Sequence, residues 1–243
     1  SNRVSPEAPV PVITPHQNYC VPGGAGNVAM NLSSLGAKVT CVGIIGNDKW
    51  GEKLVSILND KNIDTTHLQK INNHITTLKQ RIYLDNEQFV RIDKEKTMKL
   101  TNYPKIKKED YDLVILSDYN KGVLNDLWFD INVFDNVFVD PKKKSFKNYY
   151  GAKVITPNLK ELQIACGKNL EKKEDIVVEC NNLINRYNFD YIVAKQGSKG
   201  MTVVGKNNFS KHILAHKVSQ PDVTGAGDTV IASLSLFYTK TGD

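Results

Sequence analysis

The 243 residues carry 32 lysines and arginines against 26 aspartates and glutamates, a net charge of +6, with 40% hydrophobic and 24% charged residues. That balance suits a globular chain with a sizeable core and excludes a disordered polyelectrolyte or a small disulfide scaffold. No apolar run approaches the roughly 18 residues of a membrane span, and no signal peptide opens the chain. The lysine runs at 105–108 and 142–144 lack interleaved aromatics, so neither membrane nor nucleic acid is an expected partner. Cys20, Cys41, Cys166 and Cys180 are scattered with no C-x-x-C pair, which fits reduced thiols in a cytoplasmic protein.

In chain order, residues 6–13 are extended and punctuated by prolines. Residues 24–36 place Val28, Ala29, Leu32 and Leu35 on one helical face, with Gly36 suited to the C-terminal cap. A buried strand is predicted over 39–45. A helix follows over 48–60, with Asp48 as N-cap and Trp50, Leu54, Ile57 and Leu58 on its apolar side. Residues 76–93 read as two short alternating strands around the turn 85–87, a hairpin outside the main sheet. Together with 6–14 it is expected to form a small β-lid. Strands are then predicted over 111–119, 136–141, 152–158, on both sides of the turn 197–200, and over 211–218. The final helix begins at Asp228. Alternating strands and helices argue for an α/β fold, an open and mostly parallel sheet with helices on both faces. In such sheets ligands gather at the carboxyl ends of the strands. Asp118, Asp140, Asn158 and the 197–200 turn fall there.

The stretch D-V-T-G-A-G-D at 222–228 concentrates the chemistry. Two glycines and an alanine before a helix can simply form a turn, with Asp228 stabilising the first helical turn. The amides of Gly225, Ala226 and Gly227 can instead converge on an anion at the positive end of the helix. A carboxylate beside an anion site is useful for taking a proton from a nucleophile that attacks the anion, which is what phosphoryl transfer requires. Two motifs compete weakly. Residues 24–29 satisfy G-x-G-x-x-A, with Asp48 about twenty residues on, yet the preceding residues make a poor dinucleotide-fold strand. His212 and His216 lie four apart in a strand-like run without further ligands, so they are not expected to bind metal.

The motif at 222–229 resembles the C-terminal signature of the PfkB, or ribokinase-like, carbohydrate kinases, and residues 22–54 resemble their N-terminal glycine-rich signature. Within that family, the segments 1–12, 76–81, 91–95, 117–122, 139–142 and 156–162 are similar to the heptose 7-phosphate kinases. In many bacteria that module is fused to an adenylyltransferase and serves lipopolysaccharide core synthesis. The resemblance implies a ribokinase-like fold, ATP and Mg2+ as cofactors, and a small sugar phosphate as the acceptor. It makes Asp228 the catalytic base and Gly225, Ala226 and Gly227 its anion hole. Asn158, Leu159, Lys160 and Glu161 fall on the family's N-x-x-E motif, with Glu161 organising the metal. Lys195, Gly197 and Gly200 are assigned to the nucleotide.

The same resemblance brings Gly23, Gly24 and Asn27 towards the sugar hydroxyls and gives Asp93, Asp118, Lys121 and Lys142 to the substrate. Lys79, Arg81 and Arg91 on the lid are candidates for the phosphate that the acceptor already carries, because charge-assisted bonds from a covering flap can clamp it. The lid also offers a face for a homodimer. Residues 1–243 are expected to form a single kinase domain incomplete at both ends: the family's first strand and its last helices are not matched, and stretches near 98–104 and 124–135 look short.

Overall fold

The computed structural model describes residues 3–14, 17–84, 87–125, 130–216, 218 and 223–242. Asp222 of the glycine motif, the turn at Asp85 and Asn86, and Lys217 in the last expected strand lie outside them.

Among the described residues, twelve strands and five α-helices follow one another in chain order. A short antiparallel pair, β1 (Arg3–Val4) and β2 (Pro11–Val12), precedes α1 (Ala25–Ser34). Next come β3 (Thr40–Gly46), α2 (Lys49–Asn59) and β4 (Asp64–Ile71), with β3 and β4 parallel. The hairpin is β5 (Leu78–Leu84) and β6 (Glu87–Lys94), antiparallel as expected from the alternation at 76–93. The remaining elements are β7 (Val114–Ser117), β8 (Val137–Asp140), β9 (Val154–Ile155), α3 (Leu159–Cys166), α4 (Lys173–Tyr187), β10 (Tyr191–Lys195), β11 (Met201–Gly205), β12 (Phe209–Ile213) and α5 (Ala226–Thr241).

The main sheet has six strands in the order β12-β11-β10-β9-β8-β7. Strands β7 to β10 are parallel, while β11 and β12 complete an antiparallel edge. Period-2 alternation decides which helix each side chain meets. On β8, Val137 and Val139 point into a core shared with Leu162 of α3 and Leu183 and Ile184 of α4. Phe138, between them, points the other way, onto Val28 of α1 and Ile231 and Ala232 of α5. Ile155 and Ile192 repeat the first direction, and Val154 and Val193 the second. Helices therefore cover both faces, and the fold is the expected mixed α/β architecture.

Two expectations are corrected and one is refined. Strand β3 does not join the main sheet: it pairs with β4 alone, and a third core of Ala29, Leu58 and Ile63 holds that unit to α1 and α2. Among the described residues the second edge of β3 and the outer edge of β7 have no strand partner. Both line one cleft of about 2720 Å³, with Val42 and Ile44 on one side and Leu113 and Ile115 on the other. A small-molecule site occupies roughly 300–1,000 Å³, so the hollow is larger than any sugar phosphate needs. Second, as a detail added to the expected lid, the pair β1–β2 and the hairpin β5–β6 keep separate ladders among the described residues. Third, β12 ends at Ile213, short of the run to 218.

Candidate active site

The carboxyl ends of the parallel strands and the N-terminus of α5 converge. Asp118 follows β7, Asp140 closes β8, Thr156 and Asn158 follow β9, and Lys195 closes β10. Asn158 also bridges to Lys195 in parallel fashion, tying two of these ends together.

Helix α5 starts at Gly225, which adopts φ 77° and ψ 2° as its N-cap. That left-handed conformation suits glycine; a Cβ there would also lie 2.6 Å from Asn27 Nδ2. Asp228, in the first turn, is 5% exposed and has a donor on each oxygen. Asn27 Nδ2 donates to Oδ2 at 2.8 Å, and the Tyr119 hydroxyl donates to Oδ1 at 2.8 Å. Burial, then the hydrogen bond and charge of Asp228, push the Tyr119 phenol well above its ordinary range, so it stays a protonated donor. The charges of Asp140 and Glu161 act on Tyr119 in the same direction.

In the same turn, Gly227 leaves room for a cation. A Cβ at Gly227 would lie 3.1 Å from Lys195 Nζ and 3.7 Å from Asp140 Oδ2. Lys195 Nζ donates to Asp140 Oδ1 at 2.6 Å, and the Thr156 hydroxyl donates to the same oxygen at 2.9 Å. An ammonium held beside the positive end of a helix makes a strong anion site. Of the three expected anion-hole amides, that of Ala226 is engaged by the Val223 carbonyl at 3.3 Å. The amide of Gly227 belongs to the first turn, where the helix supplies no carbonyl partner.

The N-x-x-E segment forms a reciprocal capping box: Asn158 Oδ1 accepts from the Glu161 amide and Glu161 Oε2 accepts from the Asn158 amide, each at 2.9 Å. Glu161 Oε1 accepts from Lys142 Nζ at 2.9 Å, which puts Lys142 on the motif rather than on a substrate pocket. Leu159 and Lys160 occupy the first turn of α3. No group of three or more His, Cys, Asp or Glu side chains suited to a metal occurs among the described residues. A single carboxylate fits Mg2+ that keeps several waters and arrives on nucleotide phosphates, and it does not fit an all-protein cage.

The other candidates divide. Gly23, Gly24, Asn27, Lys79, Arg81, Asp118, Lys121, Gly225 and Asp228 line the cleft; Arg91 and Asp93 do not. Asp118 is buried, with its oxygens taken by the Tyr149 hydroxyl at 2.5 Å and the Asn120 amide at 2.6 Å, so it fastens the turn after β7. On the hairpin, Asp93 accepts from Lys79 at 3.1 Å and from Arg91 at 2.9 Å, while Glu95 accepts from Lys121 at 2.6 Å. Arg81 lies opposite Arg91 across the ladder. Gly197 begins the turn after β10, and Gly200 sits against the Ile213 carbonyl, where any side chain would clash with β12. Sequence reasoning missed Tyr119 and Thr156; both lie just past strand ends, the one signal that could have pointed to them. The buried Ser117 hydroxyl at the end of β7, lining the same cleft, has no hydrogen-bond partner.

The family model for pfkB family carbohydrate kinases matches residues 2–243. The chain belongs to that family. It is accordingly a sugar kinase, a phosphotransferase by class. Among curated relatives, the bifunctional protein HldE of Coxiella burnetii is 37% identical over 255 residues, covering 100% of this chain and 53% of that protein. The bifunctional protein HldE of Mesorhizobium japonicum is 36% identical over 256 residues, covering 99% and 51%. The chain thus spans about half the length of the curated relatives it matches. Among solved structures, Arabidopsis thaliana ribokinase complexed with ribose and ATP superposes with a TM-score of 0.75 at 19% identity, covering 95% of this chain and 78% of that one. Escherichia coli phosphofructokinase-2 in complex with substrates and products gives 0.68 at 18% identity, over 95% and 81%. These likenesses establish the ribokinase-like fold. None of the helices described is long and apolar enough to cross a membrane.

Proposed function

We propose that this chain transfers the γ-phosphoryl group of ATP to the anomeric C1 hydroxyl of D-glycero-β-D-manno-heptose 7-phosphate, giving the 1,7-bisphosphate on the route to ADP-heptose and the lipopolysaccharide core. The observation that carries the reading is Asp228: a buried carboxylate, gripped on both oxygens, at the N-terminus of a helix beside the Lys195 ammonium. A base and an anion site side by side in one helical turn are what attack of a hydroxyl on a phosphoryl group requires.

Asp228 takes the hydroxyl proton, and Asn27 holds the carboxylate in orientation. The amide of Gly227 and the Lys195 ammonium stabilise the charge on the transferring group. Mg2+ supplies neutralisation of the nucleotide phosphates, with Glu161 and Asn158 as the groups that would hold its water shell. Lys142 would then yield the Glu161 oxygen that it occupies. Gly197 and Gly200 border the nucleotide, while Gly23 and Gly24 border the sugar.

The heptose phosphate rests on the order of motifs along the chain and on the lid. Like charges directly opposite in an antiparallel pair are destabilising, and Arg81, which faces Arg91 across the ladder and lines the cleft, favours an anion beside it. A phosphate on the acceptor is such an anion. The twofold length of the relatives supports a fused adenylyltransferase in the whole protein, and the exposed apolar residues Phe89, Val90 and Ile92 on the lid support a homodimer.

The test is mass spectrometry of the full-length protein incubated with ATP, Mg2+ and a panel of sugars and sugar phosphates. Heptose 7-phosphate should gain one phosphate, and Asp228→Asn should lower turnover about 10²–10⁴-fold. Phosphorylation of a hexose phosphate with heptose 7-phosphate untouched would overturn the acceptor; undiminished turnover in Asp228→Asn would overturn the base.

A further inference from the structure

Tyr119 belongs to none of the groups assigned so far, yet it touches the reacting carboxylate. Its hydroxyl donates to Asp228 Oδ1 at 2.8 Å, opposite the Asn27 bond to Oδ2. An ionised carboxylate has about four lone-pair sites. Two donors, one on each oxygen, fix the plane of the group and leave sites free for an incoming hydroxyl.

The phenol is itself held. Asp118 accepts from the Asn120 amide and the Tyr149 hydroxyl, and Asn120 takes φ 53°, so the turn bearing Tyr119 is fastened from both sides. The ring lies over Gly24, where a Cβ would meet it at 3.0 Å. Residue 119 is nonetheless 39% exposed, so no part of the core depends on its hydroxyl. What the hydroxyl contacts is Asp228.

We propose that Tyr119 is a positioning residue for the phosphoryl transfer, clamping Oδ1 so that the carboxylate stays aimed at the acceptor hydroxyl. The inference rests on Asp228 being the base. The other charged groups of the site are Lys195 and Asp140, across from Gly227, and Glu161, whose charge is felt at the phenol. A change at Tyr119 leaves all three in place.

The experiment is the pH dependence of kcat/KM for Tyr119→Phe in the full-length protein, with ATP and heptose 7-phosphate, or with whichever acceptor the panel selects. The ring stays over Gly24 and only the donor is lost. A donor to the ionised carboxylate favours that form, so the acid limb should move to higher pH. Turnover should fall about tenfold, the scale of one hydrogen bond to a charged group, with KM for ATP unchanged. The limb decides: an unmoved acid limb overturns the proposal whether or not turnover falls, because a merely structural role would lower activity without shifting it. Asp228→Asn is run beside it. Loss of activity there with an unmoved Tyr119→Phe limb sinks only the role of Tyr119; retained activity there sinks the base and the clamp together.

Discussion

Replacing Lys195 with methionine separates what its ammonium does for the fold from what it does for the nucleotide. Lys195 and Asp140 are 2.6 Å apart, with side chains only 17% and 15% exposed. Removing the lysine leaves Asp140 with the Thr156 hydroxyl at 2.9 Å and an uncompensated charge. Breaking a fully buried pair costs about 3–5 kcal/mol; here water reaches both groups, so about 2–3 kcal/mol is expected. On the proposed reading the nucleotide also loses a charge-assisted bond of roughly 1.5–3 kcal/mol, or about 10- to 150-fold in ATP affinity. The double variant Lys195→Met/Asp140→Asn removes the orphaned charge as well. It should recover most of the stability and none of the ATP affinity. Urea denaturation reads the first quantity and calorimetric ATP titration the second. If affinity returns along with stability in the double variant, Lys195 is only a partner for Asp140 and the anion site beside Gly227 has been misread.

Three further outcomes test other parts of the site and scaffold. Glu161→Gln should raise the Mg2+ concentration needed for half-maximal activity and, by weakening the capping box and the Lys142 pair, lower stability by about 1 kcal/mol; an unchanged Mg2+ titration would return Glu161 to capping alone. Arg81→Ala should shrink the ratio of kcat/KM between heptose 7-phosphate and plain heptose, since Arg81 lines the cleft and has no ion pair among the described residues; an unaltered ratio removes the clamp. Glu179 is held below the ordinary carboxylate range chiefly by its hydrogen bond from Lys168. Its contribution to stability is therefore complete above about pH 4.3 and is lost as pH falls through the lower folded-state value. Lys168→Met should flatten that acid loss in chemical denaturation, and parallel acid curves for the two proteins would refute it.

Much of the scaffold was legible because its signals are local. Asp48 reads as an N-cap and accepts from the amides of Trp50 and Gly51. The alternation of Val137, Phe138 and Val139 both marks a strand and sorts its side chains between two cores. Helix α4 lacks such a signal, since Lys172 caps it without a side-chain bond. Strand β4 is polar, with His67 and Gln69 along it, and carries no clean alternation. The site was legible only in part, for a related reason. The glycines and Asp228 form one contiguous motif, whereas the groups that grip them come from distant elements. Asn27 lies 201 positions from Asp228, and Tyr119 lies 109. Lys195 meets Asp140 across 55. No spacing rule reaches so far, and the capping box of Asn158 and Glu161 shows that the N-x-x-E pattern also serves helix geometry.

The hollow between β3 and β7 has a mechanical corollary. With no ladder joining these strands, the unit that carries Gly24 and Asn27 is tied to the half that carries Asp228 mainly through a helix seam, Val28 and Leu32 of α1 against Ile231 and Ala232 of α5. Sheets resist shear because every hydrogen bond must slip at once, whereas packed helices slide and tilt by small increments. The Asn27–Asp228 bond spans that seam. Motion there would open or close the Asn27 contact on Asp228 without disturbing either sheet, so the apolar packing of α1 against α5 bears on where the carboxylate points.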